Sequence, residues 1–259
     1  MSRLKYYAFL RLIIRVTVNI WAPIYFQLTR KNKKFSISKN LESEKCIPQL
    51  IVSLTSFPER INRLWLVIET IFRQTQKPDK IILWLSRDQF SSLKDLPLKL
   101  LSQVERGLEI KFVDGDIKSH KKYYYTLESY PESTMITIDD DMFYRSEMIA
   151  DLVKYSNRYP FAIIAQYVLK MKCIDGCLAP YNNWETVTKE GSSSKFYFFG
   201  SGGGTLFPVN ALHKSVLNNK LFMDLTPFAD DIWLNTMARL KNTKIINTEY
   251  YSHILPILN

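Results

Sequence analysis

Glycine and proline are scarce in this chain of 259 residues: eight Gly and eleven Pro are too few and too scattered for a collagenous or low-complexity polypeptide. Cysteine is scarcer still. Three Cys cannot staple a secreted disulfide scaffold of this length, which points to a reducing compartment. Cys173 and Cys177 stand at C-x3-C spacing, but Cys46 is the only other Cys and there are three His, so a structural zinc site lacks ligands; the pair is expected to be small buried hydrophobes. No stretch reaches the ~20 uncharged residues that a spanning helix requires. Acidic residues are absent from residues 1–34, which hold eight of the 35 basic ones, so the formal charge of +10 belongs to one end. The rest of the chain, with 27 basic and 25 acidic residues, is not the broad basic face of a nucleic-acid binder, and no nucleic acid is expected as a partner. What is left is ordinary globular composition, 46% hydrophobic and 23% charged, enough for one large domain or two small ones.

The basic end has a pattern of its own. From Leu10 to Leu28 it is rich in large apolar residues, interrupted by Arg11, Arg15, Asn19 and Pro23. On a helix Arg11, Arg15 and Asn19 fall on one side, and Phe9, Ile13 and Ile20 on the other, with Trp21, Tyr25 and Phe26 following. This pattern suits an interfacial anchor drawn to an anionic membrane surface. The alternative is an ordinary first helix packed on the body. No small-residue cleavage site follows, and the cluster Lys31 to Lys34 sits on the wrong side of the apolar run for a signal peptide. The expected placement is cytoplasmic, peripheral on the cytoplasmic face of the membrane, with 1–34 as the associating segment and 47–259 as one domain.

Beyond Cys46, apolar runs alternate with helical periodicity. Gln49–Thr55, Ile81–Leu85, Leu108–Val113 and Thr134–Ile138 read as strands; Ile61–Arg73, Pro97–Val104 and Lys121–Tyr130 read as helices. That alternation predicts βαβ crossovers and a mostly parallel sheet covered on both faces. Ligands of such sheets collect beyond the carboxyl ends of the strands.

The fourth strand runs directly into Asp139-Asp140-Asp141. Adjacent carboxylates repel one another, so a compensating cation is expected, and a divalent metal would supply it. If the chain stays extended, Asp139 and Asp141 face a common hard cation of the Mg2+ or Mn2+ type while Asp140 points elsewhere. The third strand ends in Asp114-Gly115-Asp116, whose carboxylates suit sugar hydroxyls or a base edge. Lys121 and Lys122 then open a helix where cationic side chains and free N–H groups suit a diphosphate. Four of the eight Gly fall within Gly200–Gly204, a segment that lets backbone approach a ligand closely. It is neither a P-loop nor a dinucleotide fingerprint. Pro227 to Asn235 opens a helix whose first turn holds Asp230 and Asp231, with Trp233, Met237 and Leu240 as an apolar stripe. One of those carboxylates can cap the helix while the other orients or deprotonates an acceptor hydroxyl.

Taken in order, Val52-Ser53-Leu54-Thr55-Ser56-Phe57-Pro58-x-Arg60, Ile138-Asp139-Asp140-Asp141, Gly200 to Pro208 and Ala229-Asp230-Asp231-Ile232 resemble GT-A-type glycosyltransferases. They look most like bacterial transferases of capsular or lipopolysaccharide synthesis and, more distantly, exostosin-like hexosaminyltransferases, over about Gln49 to Leu240. The resemblance implies a Rossmann-like α/β fold with a mixed, mostly parallel sheet flanked by helices, here with an N-terminal basic amphipathic helix. It implies that Asp139 and Asp141 match the D-x-D that holds Mn2+ or Mg2+ and the nucleotide-sugar diphosphate. It further implies that Arg60 and Asp114 contact the nucleotide, that Asp231 is the acidic residue near the acceptor, and that His253 is a candidate late metal ligand. The expected donor-binding set is Thr55, Arg60, Asp114, Lys121, Lys122, Asp139, Asp140, Gly202 and Gly203; Asp231 with Asp230 is the expected catalytic pair.

On this reading a sugar passes from a nucleotide-diphosphate sugar, a UDP-sugar foremost, to a glycan or lipid-linked acceptor. Stabilising the departing diphosphate is the main catalytic term. Three rivals stand beside it. A sugar-nucleotide nucleotidyltransferase would begin with a Gly- and Lys-containing loop, and Ser56 to Ile61 has neither. A metal-dependent phosphatase would place a Thr after the acidic motif, where Met142 and Phe143 stand. A non-catalytic peripheral membrane module would leave the acidic cluster inert. Tyr123, Tyr124, Tyr125, Tyr181 and Trp184 are candidates to stack on sugar rings, in a chain where most aromatics must be packed.

Overall fold

Of the four apolar runs in the first half of the chain, three lie inside one sheet with both faces covered and the fourth forms its edge. The structure is a computed structural model that describes residues 3–30, 48–248 and 255–258. His253, Cys46 and the cluster Lys31 to Lys34 lie outside the described residues. In chain order the elements are α1 (Arg3–Leu28), β1 (Leu50–Thr55), α2 (Leu64–Phe72), β2 (Lys80–Ser86), α3 (Leu98–Leu101), β3 (Leu108–Val113), α4 (Lys121–Ser129) and β4 (Thr134–Ile138). There follow β5 (Met142–Phe143), α5 (Met148–Arg158), β6 (Ile163–Ala165), β7 (Val168–Lys170), β8 (Cys173–Ile174), β9 (Cys177–Leu178) and β10 (Glu185–Thr186). The last are β11 (Tyr197–Phe199), β12 (Gly203–Phe207), α6 (Asn219–Leu225), α7 (Asp230–Leu240), β13 (Ile245–Asn247) and β14 (Leu255–Pro256).

The main sheet has the order β13-β6-β12-β4-β1-β2-β3. β1 pairs in parallel with β2 and β4, β2 with β3, and β13 with β6. β12 runs antiparallel between β4 and β6, which makes the sheet mixed. This is the Rossmann-like, mostly parallel sheet flanked by helices that the sequence implied. Alternation along β4 shows how both faces are buried. Ile136 and Ile138 join the cluster that includes Val52, Leu54 and Ile68, whereas Met135 joins Ile163, Phe207 and Trp233 on the other face. At roughly 2 kcal/mol for each fully buried large aliphatic side chain, these faces dominate the folding free energy.

Beneath the first face, Glu69 of α2 is buried against Arg106, with Arg106 Nη1 at 2.5 Å from Glu69 Oε2 and Arg73 Nε at 2.9 Å from Oε1. Removing one partner of such a pair strands the other charge. Glu69→Ala is therefore expected to lower unfolding free energy by about 3 kcal/mol in urea titration, and a loss below about 1 kcal/mol would show that the pair contributes little.

Two expectations are corrected. Cys173 and Cys177 are exposed thiols on a small hairpin, not buried hydrophobes. The Asp175-Gly176 turn, both residues at positive φ, lifts the pair off the body. Cys173 pairs with Leu178 and Ile174 with Cys177, so the two thiols lie on opposite faces of the ribbon. Leu240 of the expected stripe on α7 is 61% exposed, whereas Trp233 and Met237 are buried. On α1, Arg15 is half-buried and its neighbour one turn on is drawn into the body. Asn19 is buried, donates to Pro256 O at 3.1 Å and accepts from Leu258 N at 2.8 Å, and Val18, Ala22 and Phe26 pack on the main cluster beside it. Among the described residues no helix is long and apolar enough to cross a membrane.

Candidate functional site

The parallel strands end on one side of the sheet, and their connecting turns enclose a cavity of about 510 Å³. The turn after β1 contributes Thr55, Ser56, Phe57, Glu59 and Arg60; the turn after β3 contributes Asp116; the end of β4 contributes Asp139 and Asp140. Lys121 and Lys122 enter from the first turn of α4, and Asp230 and Asp231 from the first turn of α7. Two cations in the first turn of α4 oppose that helix's own dipole. Their partners explain why they are held there.

Lys122 is the centre of the charge arrangement. Its Nζ stands 2.7 Å from Asp139 Oδ1 and 3.0 Å from Asp230 Oδ2, with 5% of the side chain exposed. Burial opposes its charge, but Asp139, Asp230 and Asp231 outweigh burial and hold the ammonium well above its ordinary range. Lys121, also buried, pairs with Asp116, which in addition accepts from Lys118 Nζ at 2.7 Å and Gln89 Nε2 at 3.0 Å. Burial opposes ionisation of Asp116, yet the hydrogen bonds from Lys118 and Lys121 keep its carboxyl below the usual range.

The acidic triplet takes another shape than extended chain would give. After Ile138 the backbone turns at Asp140 and Asp141. Asp140 is buried, accepting from Ser56 Oγ at 2.6 Å and from Arg60 Nη1 at 2.8 Å, and the same Arg60 atom meets Asp141 Oδ2 at 3.0 Å. So Asp140 and Asp141 share a cation while Asp139 turns to Lys122, and the premise that only a bound ion could offset the triplet does not hold. Asp139 and Asp141 remain partly exposed, 37% and 30%, and each meets its protein cation through one oxygen only. Burial, Asp139 and Asp140 raise the Asp141 carboxyl against the pull of Arg60. Two hard oxygen donors fit a cation whose remaining positions come from water and phosphate, as is usual for Mg2+. Among the described residues no group of three or more His, Cys, Asp or Glu forms a closed metal cage.

The Gly-rich segment serves these carboxylates. A Cβ on Gly202 would lie 1.7 to 2.1 Å from the Asp139 carboxylate, so only glycine leaves room for it. Tyr144, fully buried, clamps the junction: its hydroxyl donates to Gly202 O at 2.5 Å and accepts from Asp139 N at 2.8 Å. Gly203 lies inside β12 opposite Ile138. Neither Gly202 nor Gly203 lines the cavity. Gly202→Ala is expected to shift the Asp139 carboxylate off Lys122; if the cavity takes the nucleotide donor that the sequence leads one to expect, isothermal titration should show its affinity fall by ~10-fold or more, the effect of one misplaced charged contact, and unchanged affinity would mean that Asp139 does not touch the donor.

Ser201 links this segment to α7. Its amide donates to Asp231 Oδ1 at 2.7 Å, and its hydroxyl donates to Asp230 Oδ2 at 2.7 Å. Although the two carboxylates are neighbours in one helical turn, their environments differ in sign. Burial opposes ionisation of Asp230, but Lys122 and Ser201 keep its carboxyl below the usual range. Asp231 is pushed up to about 6 by burial and by the Asp230 charge, against Lys122 and Ser201. A carboxylate that titrates near neutrality at a cavity wall suits general acid–base work.

The structure thus brings together Thr55, Arg60, Lys121, Lys122, Asp139, Asp140, Asp230 and Asp231. It leaves Asp114 and Asp141 out of the lining: Asp114 has a side chain 94% exposed against Arg87, and Asp141 sits beside the cavity residue Arg60. Asp116, two residues on from Asp114, is the carboxylate that faces the cavity. Ser56, Glu59, Gln89, Lys118, Ser119 and Phe228 are cavity residues that sequence reasoning did not select. None of the five aromatics singled out for sugar stacking lines the cavity: Tyr123 is fully buried, and Tyr181 and Trp184 pack with Phe198 elsewhere.

No protein-family model matches the chain, and no curated protein does. Solved structures resemble it in part. A 4-diphosphocytidyl-2C-methyl-D-erythritol synthase is 11% identical with a TM-score of 0.49, over 82% of this chain and 94% of that one. TarS 1-349 of S. aureus in complex with UDP is 10% identical with a TM-score of 0.49, over 78% of this chain and 59% of that one. A UTP-bound UGPase of Acinetobacter baumannii is 9% identical with a TM-score of 0.42, over 78% and 86%.

Proposed function

We propose that the protein is a glycosyltransferase that moves a sugar from a nucleoside-diphosphate sugar, a UDP-sugar, to a hydroxyl of a glycan or lipid-linked glycan in cell-surface polysaccharide synthesis. The observation that carries this reading is the pairing of two functions in one cavity. Buried cations converge on one wall, and a single carboxylate that titrates near neutrality stands on another.

The donor's diphosphate would lie against Arg60, Lys118, Lys121 and Lys122, whose positive charge meets the negative charge that grows as the anomeric carbon–oxygen bond breaks. Asp139 and Asp141 would hold Mn2+ or Mg2+, which supplies further neutralisation of the leaving diphosphate. Asp231, oriented by the Ser201 amide, would take the acceptor hydroxyl's proton as the oxygen attacks the anomeric carbon. Asp230 stays ionised beside Lys122 and holds the Asp231 carboxyl in its raised range. Ser56 to Arg60, the turn against the donor side, contains no Gly and no Lys, which disfavours the nucleotidyltransferase alternative.

The test is a thermal-shift screen of nucleotides and nucleotide sugars with and without Mn2+, followed by product analysis. Stabilisation by a UDP-sugar and release of UDP support the reading. Release of pyrophosphate from a nucleoside triphosphate and a sugar phosphate would replace it with the nucleotidyltransferase. Asp141→Ala is expected to abolish transfer while changing stability by less than about 1 kcal/mol, since its ion pair with Arg60 is partly solvated. Retained turnover would remove Asp141 from the metal site.

A further inference from the structure

Helix α1 is attached to the protein along one mixed stripe, by apolar contacts of Val18, Ala22 and Phe26 and by the hydrogen bonds of Asn19. Arg15, Asn19, Ala22 and Phe26 fall on one stripe at the helical repeat, and through it the helix holds Pro256, Leu258 and the main core cluster. The arc facing away from that stripe, half the circumference between residues 9 and 28, contains only Thr17 and Gln27 as polar residues. Its apolar members are exposed: Ile13 45%, Ile20 59%, Trp21 62% and Leu28 82%. At 1.5 Å per residue the exposed arc is about 30 Å long. Surface helices of globular proteins turn this side inward.

We propose that this arc is a membrane-docking surface and that its occupant is an anionic bilayer, into which α1 lies flat with the folded body covering its Asn19 side. Three observations select lipid over a protein partner. A coiled-coil seam or a groove-bound helix presents a narrow stripe, two or three positions per seven; here a full half-cylinder is apolar. Residues 1–34 hold eight basic residues and no acid, with Arg3 and Lys5 before the apolar run and Arg30, Lys31, Lys33 and Lys34 after it, matching anionic headgroups at both ends. No described helix is apolar enough to cross, so burial to the headgroup–acyl boundary is the mode that remains. Docking through Asn19 differs from a free amphipathic helix, whose polar face meets water. Here the orientation of the body on the membrane is fixed by α1.

The experiment uses the full chain and co-sedimentation with vesicles of phosphatidylcholine alone or mixed with phosphatidylglycerol. The wild type is expected to pellet with the mixed vesicles, less in high salt, and weakly with phosphatidylcholine. Ile13→Glu/Ile20→Glu/Ile24→Glu is expected to lose at least ~10-fold in vesicle partition, because three buried isoleucines contribute several kcal/mol. Leu240→Glu, 61% exposed on α7 at the opposite face of the sheet, is expected to bind as the wild type does. An unchanged thermal transition shows that the triple variant folds. Equal pelleting of the triple variant, equal binding to neutral vesicles, or a wild-type dimer that seals α1 and ignores vesicles would each overturn the proposal. The vesicle readout needs no donor or acceptor, so it stands or falls apart from the proposed transferase activity.

Discussion

Asp231→Asn is expected to reduce kcat/KM for sugar transfer by roughly 10²–10⁴, the usual contribution of a positioned general base, and at the same time to make the protein more stable. The two effects have one cause. Burial and the Asp230 charge push the Asp231 carboxyl from its ordinary 3.8 to about 6. A base must be ionised to accept a proton, so kcat/KM of the wild type should fall as pH drops through about 6 and level off above it. The variant should lose that limb of the profile along with its rate.

The stability effect takes its sign from the same shift. A folded-state value above the unfolded one means that the folded protein holds this proton more tightly than the unfolded chain does. The resulting penalty is absent below about pH 4, grows as pH rises through about 6, and is fully present at pH 7. Two pH units correspond to about 3 kcal/mol as an upper figure. Asparagine keeps an oxygen to accept from the Ser201 amide and carries no charge beside Asp230, so most of that penalty should be relieved. Urea unfolding at pH 7 and at pH 4 measures it: a gain at pH 7 that vanishes at pH 4 is the expected pattern. A variant destabilised at both pH values would mean that the carboxylate is a structural anchor.

Why the sheet could be read from the chain, and parts of the site could not, follows from the range of the interactions. β1, β2 and β4 declare themselves because most of each strand is buried by neighbours on both faces, so a local apolar run is enough, whereas β3, half-buried at the sheet edge, shows instead as an alternation of apolar and charged residues. Lys122, Asp139, Asp230 and Asp231 were visible as residue types at strand and helix ends, but the ion pairs among them join segments far apart in the chain, and spacing carries no record of those. For that reason the sequence points from the triplet to a metal and gives no sign that Arg60 and Lys122 offset part of its charge. Asp114 was chosen over Asp116 because it follows the strand directly; the positive φ values at Gly115 and Lys118 bend the turn so that Asp116 meets the lysines. The backbone turns at Asp140 and Asp141, so the turn, and not the alternation of an extended chain, sets where the Asp141 carboxylate lies. Helix α1 showed its two faces plainly in sequence, yet which face docks depends on Pro256 and Leu258 near the other end of the chain.

Lys122→Met is expected to be the most destabilising single change at the site, because it leaves a well-packed side chain of similar volume and removes only the charge. In the wild type the ammonium is raised above its ordinary value, so its contribution is complete below about pH 10.5 and is lost only as pH climbs through its folded value above that. It is therefore constant across the neutral range. In the variant, Asp139 and Asp230 lose their shared partner, and a loss of about 3–5 kcal/mol is expected at pH 8, as when one member of a buried pair is deleted. The carboxylates can escape by taking up protons, which unfolded carboxylates do only near pH 4. The gap between variant and wild type should consequently narrow as pH falls toward 5. A gap that stays constant would assign the loss to packing around the lysine stem and would break the link between the donor wall and α7. Lys122→Arg is the companion variant: it restores the charge but not the geometry, since a planar fork replaces a compact ammonium between two carboxylates. Recovery of stability without recovery of donor binding would show that the site needs the ammonium's shape as well as its sign.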